Sequence, residues 1–385
     1  LLTNVGYIYQ SSAGIFTLLP MAQRVIDKIE RIVDEEMGRV GGQKLAMPTL
    51  LTPDNWIKTG RWESTGEELF TLTDRKEMEM ILGPTHEEEI TAMVKDMVNS
   101  YRRYPLRLYQ TTRKFRDEPR PRAGLLRGRE FIMKDMYSFD VSKEKAIEAF
   151  KALEGAYRRS FSRIGVPYVV ADADSGNIGG TLSKEFHFVN ESGEDTLLEC
   201  TDCGYVANEE RARVKAKWGD WHVAQMGDGC AECKRGVLKS QRAIEVGHIF
   251  YLGDKYSRAM DLNVLYKGKQ QCVEMGCYGI GISRILQAAA ECCNADKRGL
   301  RWPLAIAPYA AVILPLVAAE RVSEIYAQLS TIKVGDSEVF QDNVAVDDRE
   351  HLRPGFRLND MELLGFPVTV VLGKRFLASE EVEVQ

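Results

Sequence analysis

Five arginines and three carboxylates lie within the 17 residues 115–131, FRDEPRPRAGLLRGREF, of a 385-residue chain whose net charge is −5. The planar fork of arginine binds phosphate oxygens in pairs, a glutamate accepts a hydrogen bond from an amine, and an aromatic ring stacks on a base. These residue types together suit a nucleoside triphosphate. A solvated, salt-bridged hairpin would explain any single arginine. It does not explain the joint placement of Arg116, Glu118, Arg127 and Phe131 on one predicted surface.

A second candidate anion site is the segment MGCYGIGISR, residues 275–284. Its glycines allow a strand to turn tightly into a helix. Arg284 then falls in the first helical turn, where backbone amides and the helix dipole attract anions. A glycine-rich turn by itself is weak evidence of binding. The segment is not a P-loop, because the GK[ST] ending is missing.

Two CxxC pairs, Cys200 with Cys203 and Cys230 with Cys233, form a candidate metal site. Each pair places two thiolates on a tight turn, and four thiolates complete the tetrahedron that zinc prefers. We therefore expect structural zinc rather than free thiols, in a knuckle at about residues 199–236, without a catalytic role. The chain has eight cysteines, some adjacent and some scattered, a usage that fits a reducing compartment better than a secreted disulfide scaffold.

The elements that position these residues follow from the periodicity of the sequence. Residues 106–118 and 129–139 alternate with a period of two, which predicts a β-hairpin with a long basic loop. An amphipathic helix is predicted for residues 18–37. A second helix should begin after the cap residue Ser142, run to Ile164 and end at Gly165.

The C-terminal part of the chain has a different pattern. Beyond Pro303, short apolar strands alternate with helices, which predicts a small α/β domain with a mixed or parallel sheet. A boundary near Trp302 and Pro303 divides the chain into predicted domains of residues 1–302 and 303–385.

The composition limits the class of protein. With 44% hydrophobic and 28% charged residues, the chain is an ordinary globular one. No apolar run approaches the roughly 20 residues that cross a bilayer, so we expect no membrane insertion. The pI of about 5.8 argues against a nucleic-acid coat but allows a local basic surface. The sequence starts at Leu1 without a methionine, so we expect any targeting segment to have been removed or omitted.

Several of these segments resemble one family. Residues 115–118 followed by Arg127 and Phe131 look like motif 2 of the class II aminoacyl-tRNA synthetases, GCYGIGISR like motif 3, and GGQKLAMPTLL like motif 1. More narrowly, GPTHEEEIT, EVGHIFYLGDKYS and DDREHLRPGFRLNDMELLGFP resemble prolyl-tRNA synthetases of the bacterial type. The likeness covers nearly the whole chain. It implies an α+β catalytic domain with an antiparallel sheet, followed by a smaller α/β anticodon-binding domain that we expect to lack the family's last elements.

The resemblance implies that the chain uses ATP with Mg²⁺ and assigns residues to the nucleotide. Arg116 would hold the α-phosphate and the amino acid carboxylate, and Glu118 would bind the adenine amine. Phe131 would stack on adenine. Arg127 and Arg284 would bind the γ-phosphate.

The resemblance also assigns residues to L-proline. Thr85 and Glu87 match the family's residues that receive the imino group. Met133, Tyr137 and His248 are expected as further pocket walls, although His248 could equally be a histidine of the core.

For tRNA(Pro), the loop residues Arg120 and Arg122 are expected to meet the acceptor end, with a merely solvated loop as the alternative. Arg349 and Arg357 are the candidates for the anticodon. The implied reaction joins proline to ATP to form prolyl adenylate and then transfers proline to the 3′ end of the tRNA. Motif 1 favours a homodimer.

The chain departs from the bacterial pattern in one respect. The interval between motifs 2 and 3 has no room for the large editing domain usual in bacterial members, so the chain resembles the mitochondrial branch of the family. This favours the mitochondrial matrix, with the cytoplasm of a bacterium as the alternative. It also predicts that the protein does not hydrolyse alanyl-tRNA in cis.

Three other hypotheses remain at the level of sequence. The chain could be a class II synthetase for another amino acid, such as threonine or glycine. It could be a catalytically inactive paralogue that binds tRNA, although the intact motif residues oppose this. A zinc-ribbon nucleic-acid module with an incidental α/β core would give the basic residues no reason to share one hairpin face.

Overall fold

The fold was obtained as a computed structural model, in which residues 1–174, 178, 182–215, 221–294, 298–333 and 338–385 are described. Across these residues, none of the helices combines the length and the apolar character needed to span a bilayer.

The described residues form ten α-helices: α1 Pro20–Arg39, α2 Asp54–Thr59, α3 Arg61–Thr65, α4 Glu87–Met97, α5 Lys143–Ile164, α6 Lys255–Ala259, α7 Ile282–Cys292, α8 Val322–Ser330, α9 Pro354–Leu364 and α10 Lys374–Ser379. The first ten strands are β1 Ile8–Ser12, β2 Ile15–Leu18, β3 Gln43–Lys44, β4 Leu50–Leu51, β5 Phe70–Thr73, β6 Glu79–Leu82, β7 Leu106–Phe115, β8 Glu130–Asp140, β9 Tyr168–Asp172 and β10 Leu182–Val189. The remaining strands are β11 Asp195–Cys200, β12 Val206–Asn208, β13 Arg213–Lys215, β14 Trp221–Val223, β15 Leu238–Gly253, β16 Asn263–Tyr266, β17 Lys269–Cys272, β18 Glu274–Gly281, β19 Ala311–Pro315, β20 Val344–Val346, β21 Val368–Leu372 and β22 Glu383–Val384.

A nine-stranded sheet forms the centre of the first part of the chain, in the order β10-β9-β12-β11-β15-β18-β8-β7-β3. Its long central strands β15, β18, β8 and β7 all pair antiparallel. Only the short pairings of β3 with β7 and of β12 with β9 are parallel. The predicted catalytic domain with an antiparallel sheet is therefore confirmed.

The predicted hairpin is formed by β7 and β8, whose register runs from Leu106 opposite Phe139 to Phe115 opposite Glu130. Residues 116–129 connect the two strands. The basic segment therefore lies at one end of the central strands, as its period of two predicted.

Helices α1, α5 and α7 bury their apolar faces in one core cluster with strands of the sheet. Helix α1 has a proline at its first position, where no backbone donor is needed. Helix α5 is capped by the Ser142 hydroxyl, which accepts from the Lys145 amide, and ends at Gly165 with φ of 87°, a conformation that favours glycine. Both helices match their predictions. A second core cluster includes residues of α4 and α6.

The C-terminal part contains a four-stranded sheet in the order β20-β19-β21-β22. The first three strands are parallel and β22 is antiparallel, so the predicted mixed sheet is confirmed. Strand β20 is short and contains only Val344–Val346. The boundary at residues 302 and 303 stays a prediction. Near it, the Trp302 indole donates to the Tyr7 hydroxyl at 2.9 Å, and that hydroxyl donates to the Leu364 carbonyl at 2.8 Å.

The buried carboxylate of Glu36 links the two long helices α1 and α5. The side chain of Glu36 in α1 is fully buried and accepts from Arg39 at 2.7 Å, Arg159 at 2.7 Å and Arg163 at 2.9 Å. Arg159 and Arg163 belong to α5. Burial alone would raise the pKa of Glu36, but the bonds from Arg159 and Arg163 hold it below its ordinary value. The ionised form therefore stabilises the packing of α1 on α5.

The substitution Glu36→Gln should lower the free energy of unfolding by about 1–3 kcal/mol, because it removes the negative charge that the three arginines share while leaving them in place. The change can be measured by urea denaturation at pH 7. Because the pKa of Glu36 is lowered in the folded state, its contribution is present above about pH 4 and is lost as the pH falls further. The difference from the wild type should therefore shrink in acid.

The matched control is Glu35→Gln, since Glu35 pairs with Arg163 from a side chain that is 47% exposed. An exposed pair of this kind contributes about 0–1 kcal/mol. Equal effects of the two substitutions would contradict the role assigned to the buried carboxylate.

Candidate active site

A cavity of about 380 Å³ opens at the end of the central strands, within the range of roughly 300–1,000 Å³ typical of small-molecule sites. Nine of the predicted site residues line it: Thr85, Glu87, Arg116, Glu118, Arg127, Phe131, Met133, His248 and Arg284. They come from the β7–β8 hairpin, β15, the start of α7 and the start of α4. These nine side chains therefore share one cavity, and their joint role stays a prediction.

Two arginines give one end of the cavity its positive charge. The guanidinium of Arg116 lies over the ring of Phe131, 5.2 Å from its centroid. Arg284 donates to the Leu126 carbonyl at 3.0 Å and to the Glu245 carboxylate at 2.9 Å. Burial, together with the positive charge of Arg284, lowers the pKa of Arg116. Two cations that repel each other in one cavity form a site that an anion would stabilise.

Arg127 is held by two carboxylates beside this end. It donates to Glu118 at 2.8 Å and to Glu194 at 3.2 Å. Glu194 also accepts from Arg122 at 2.6 Å. The hydrogen bond to Glu118 is the main reason that the pKa of Arg127 is raised. Arg120 is exposed in the same loop.

The opposite end of the cavity is negatively charged. Glu87 is fully buried, and it accepts from the Thr85 hydroxyl at 2.7 Å and from Arg61 at 3.0 Å. The Cys277 thiol donates to its second oxygen at 3.1 Å. Burial alone would raise the pKa of Glu87, but Arg61 and Thr85 hold it below its ordinary value. An ionised carboxylate and a hydroxyl oxygen are therefore available to a positively charged amine.

Tyr137 corrects one sequence prediction. Its side chain is fully buried and lies outside the residues that line the cavity. The hydroxyl donates to Asp135 at 2.9 Å and accepts from the His86 amide at 2.9 Å. Tyr137 therefore supports the segment that holds Thr85 instead of forming a wall.

His248 lines the cavity, which favours a pocket wall over a purely structural core position. One ring nitrogen lies 2.6 Å from the Ser183 hydroxyl and the other lies 3.1 Å from Glu245. Burial and the charge of Glu245 raise the pKa of Glu185 to about 8. Burial alone would also raise the pKa of Glu245, but the bond from His248 and the charge of Arg284 hold it well below its ordinary value.

The four knuckle cysteines converge in space. Their sulfur atoms all lie within 4.8 Å of one another, with 3.7 Å between Cys200 and Cys233 and 3.8 Å between Cys203 and Cys230. Zinc–sulfur bonds of about 2.3 Å in a tetrahedron place the sulfurs about 3.8 Å apart. The residues therefore fit the geometry of a tetrahedral zinc site.

The two anticodon candidates differ in their surroundings. Arg357 is 3% exposed and donates to the carbonyls of Pro315 at 3.0 Å and Asp347 at 2.7 Å. These contacts argue against the prediction that it binds tRNA, because its guanidinium holds α9 against the C-terminal sheet. Arg349 is partly exposed but donates to Asp347 at 2.9 Å and to Asp360 at 2.5 Å.

Several charged residues of the site escaped the sequence analysis, among them Arg61, Glu194 and Glu245. Arg61 is a single arginine in a short polar helix, and Glu194 lies in a loop that is 67 residues from its partner Arg127. Glu245 lies three residues from His248 on β15, a spacing that puts side chains on opposite faces of a regular strand. A register shift opposite Phe186 and His187 interrupts β15 between Glu245 and Gly247, and both side chains line the cavity, an arrangement that no local pattern of the sequence indicates.

Comparison with known proteins gives a consistent result. Residues 70–292 match the family described as "tRNA synthetase class II core domain (G, H, P, S and T)", and residues 311–385 match an "Anticodon binding domain". The "Probable proline--tRNA ligase, mitochondrial" of Schizosaccharomyces pombe is 41% identical over 98% of this chain and 85% of its own length. The "Proline--tRNA ligase" of the bacterium Anaplasma phagocytophilum is 39% identical over 99% of this chain and 89% of its own length.

Among solved structures, a prolyl-tRNA synthetase from Cryptosporidium parvum, complexed with L-proline and AMP, superposes with a TM-score of 0.75. The alignment covers 100% of this chain and 68% of that one at 18% identity, which supports the fold alone. The matched family model and the sequence relatives show that the chain belongs to the class II tRNA synthetases and, within them, to the proline--tRNA ligase family.

Proposed function

We propose that the protein activates L-proline with ATP and transfers the activated proline to the 3′ end of tRNA(Pro). The main support is a cavity with opposite charges at its two ends, Arg116 and Arg284 at one and Glu87 at the other. Proline in its zwitterionic form has a carboxylate and a secondary ammonium group. The cavity offers each group a partner of opposite charge, and we infer that the carboxylate would bind beside the arginines that would bind ATP.

In the proposed reaction the carboxylate of proline attacks the α-phosphorus of ATP. A carboxylate–phosphorus bond forms and the bond to the pyrophosphate leaving group breaks, so no nucleophile from the protein is needed. Arg116 would neutralise the α-phosphate and the attacking carboxylate, which otherwise repel each other. Arg127 and Arg284 would bind the γ-phosphate, and Mg²⁺ would enter with ATP as part of the substrate.

The predicted nucleotide contacts complete the site. Glu118 lies close enough to Arg127 to share a hydrogen bond with it, and we infer that it binds the adenine amine while Phe131 stacks on the base. The ring of Phe131 contacts a guanidinium at one face, so the base would stack on its other face.

For tRNA, we infer that the exposed loop residues Arg120 and Arg122 meet the acceptor end. Arg349 remains a candidate for the anticodon, since its guanidinium is partly exposed.

We also propose a homodimer, built on the segment that resembles motif 1. Strand β3 is a short edge strand of the large sheet, and Gln43, Lys44 and Leu50 of this segment are exposed. An edge strand with unpaired backbone groups is suited to contact a second copy.

The mitochondrial matrix is our preferred location, on the basis of the relative from Schizosaccharomyces pombe. A bacterial cytoplasm is the alternative, because the Anaplasma phagocytophilum relative aligns over a similar length with similar identity.

Pyrophosphate exchange across the amino acids tests the proposed function. We expect exchange with proline and none above background with threonine or glycine. Exchange with threonine or glycine alone would indicate a synthetase of another specificity. A lack of exchange with every amino acid, together with retained tRNA binding, would indicate an inactive paralogue.

The substitution Arg116→Ala should lower proline-dependent exchange by about 10²–10³-fold, because the charge that develops between carboxylate and phosphate loses its main partner. The matched control is Arg113→Ala. Arg113 lies near the end of β7, three residues before Arg116, is 56% exposed and pairs with Glu130, so its removal should change the rate less than about twofold. Similar losses in both folded variants would contradict the assigned role.

Zinc bound by Cys200, Cys203, Cys230 and Cys233 would hold the knuckle together, and no step of the reaction is assigned to it. Elemental analysis of the purified protein should find one zinc per chain, and Cys230→Ala should lose the metal and lower the thermal midpoint. Cys292→Ala should retain the metal, since Cys292 lies outside the cluster. A metal-free wild type purified without chelator would refute this proposal.

We further predict that alanine is activated and that alanyl-tRNA is not hydrolysed by the same chain. Small apolar differences between amino acids give about 1–3 kcal/mol of discrimination, so alanine should be used about 10–200-fold less efficiently than proline. Incubation with preformed alanyl-tRNA(Pro) should leave it as stable as in buffer. Rapid deacylation by the wild type would overturn the prediction.

A further inference from the structure

Behind the predicted imino-group site lies a second buried carboxylate that the reaction does not use. Glu87 and Glu88 are adjacent in the first turn of α4, and both are fully buried. Two neighbouring carboxylates in an apolar interior are costly unless a cation is shared between them. Their surroundings therefore need an explanation beyond helix formation.

Arg61 is the cation between them. Its terminal nitrogen donates to Glu87 at 3.0 Å and contacts both oxygens of Glu88 at 3.1 Å. The guanidinium lies 4.6 Å from the centroid of the Trp56 ring, and the Thr59 hydroxyl donates to Glu88 at 3.0 Å. Arg61 is 6% exposed. These contacts fix the guanidinium in one position.

The hydrogen bonds leave Glu87 with one oxygen for a ligand. Its Oε2 atom accepts from both Arg61 and Thr85, which uses its two lone pairs. The Oε1 atom accepts only from Cys277 among the described contacts. Since the Thr85 hydrogen points to Glu87, the Thr85 oxygen can act as an acceptor. A secondary ammonium has two N–H donors, and these two oxygens match that number.

The charges also need to balance. With Glu88 ionised, the buried groups of Arg61, Glu87 and Glu88 have a net charge of −1, which a bound secondary ammonium brings to zero. The neighbouring Lys255 is exposed, so solvent screens its charge. With Glu88 protonated, the ammonium would leave a net charge of +1 in a buried site. An added cation therefore favours ionised Glu88, and by linkage ionised Glu88 strengthens binding of the cation.

Glu88 changes its protonation state near neutral pH. Burial and the neighbouring Glu87 raise the pKa of Glu88 to about 7, against the opposing effect of Arg61. Lys255 and Tyr256 of α6 face the same group from the other side. The third carboxylate of the turn, Glu89, accepts from Asn55 at 3.2 Å.

We propose that Arg61 and Glu88 are positioning residues for the imino acid. Arg61 directs one oxygen of Glu87 toward the cavity, and Glu88 provides the second negative charge that two neighbouring buried cations require. The inference rests on the proposed function, because it assumes that the substrate presents a secondary ammonium to Thr85 and Glu87.

The test compares Glu88→Gln with the matched control Glu89→Gln, which removes the same charge from the same helical turn. Pyrophosphate exchange is measured against proline and against ATP from pH 6.0 to 8.5. For the wild type, the KM for proline should fall about tenfold from pH 6 to pH 8 as Glu88 ionises. Glu88→Gln should raise the KM for proline about 10–100-fold at pH 8. The fall in this KM between pH 6 and pH 8 should be absent in the variant. Its KM for ATP and its kcat should stay within about threefold.

Glu89→Gln should keep the wild-type KM and pH profile. The inference is overturned if Glu88→Gln changes the KM for proline no more than Glu89→Gln, or if it retains the wild-type pH profile. Should Glu88→Gln fail to fold, as judged by circular dichroism, Glu88→Asp replaces it. Glu88→Asp keeps the charge and should keep the pH dependence of the KM for proline. A folded Glu88→Asp that lacks this pH dependence would equally overturn the inference. A wild type that exchanges with another amino acid but not with proline would refute the proposed function instead, which is a separate result.

Discussion

The site depends on like charges that lie close together inside one cavity. Each charged group is paired with an opposite charge that comes from a different element of the fold. Arg116 and Arg284 lie at one end of the cavity, and Glu245 on β15 accepts from Arg284 at 2.9 Å. At the other end Glu87 and Glu88 share Arg61. Charges of this kind are stable in an interior only when their partners are fixed in place. The elements around the cavity must therefore hold the partners of these charges in fixed positions.

The large sheet meets this requirement through its register. Thr112 on β7 lies opposite Met133 on β8, and Met133 lies opposite Gly281 on β18. The end of β7, the start of β8 and the end of β18 consequently reach the same end of the sheet. Arg116, which follows β7, and Arg284, which follows β18, meet there although they are far apart in sequence. Because antiparallel neighbours fix each other's register, a shift of one strand would separate these side chains.

The sequence predicted the parts of this arrangement that depend on local pattern. Alternation with a period of two was sufficient for the hairpin, and the cap residue Ser142 was sufficient for the start of α5. Residues whose role depends on partners that are distant in the sequence could not be predicted in this way. The pairing of Arg61 with Glu88 joins residues 27 positions apart, and no periodicity reports such a contact. Tyr137 and Arg357 were misplaced for the same reason, since their burial is set by packing between elements.

The N-terminal segment contacts both the loop between β7 and β8 and the C-terminal part of the chain. Gly14, in the turn between β1 and β2, accepts from the Arg129 amide at 2.8 Å. Its φ of 73°, and the distance of 2.7 Å from an added Cβ to Pro121, restrict this position to glycine. The turn therefore braces the loop that contains Arg120 and Arg122. Helix α1 follows from the same segment, and its Lys28 donates to Asn343 of the C-terminal part at 2.7 Å. One continuous segment thus contacts both the loop that contains Arg120 and Arg122 and, through Asn343, the segment that leads into β20 of the C-terminal sheet, so both regions are fixed relative to the same helix.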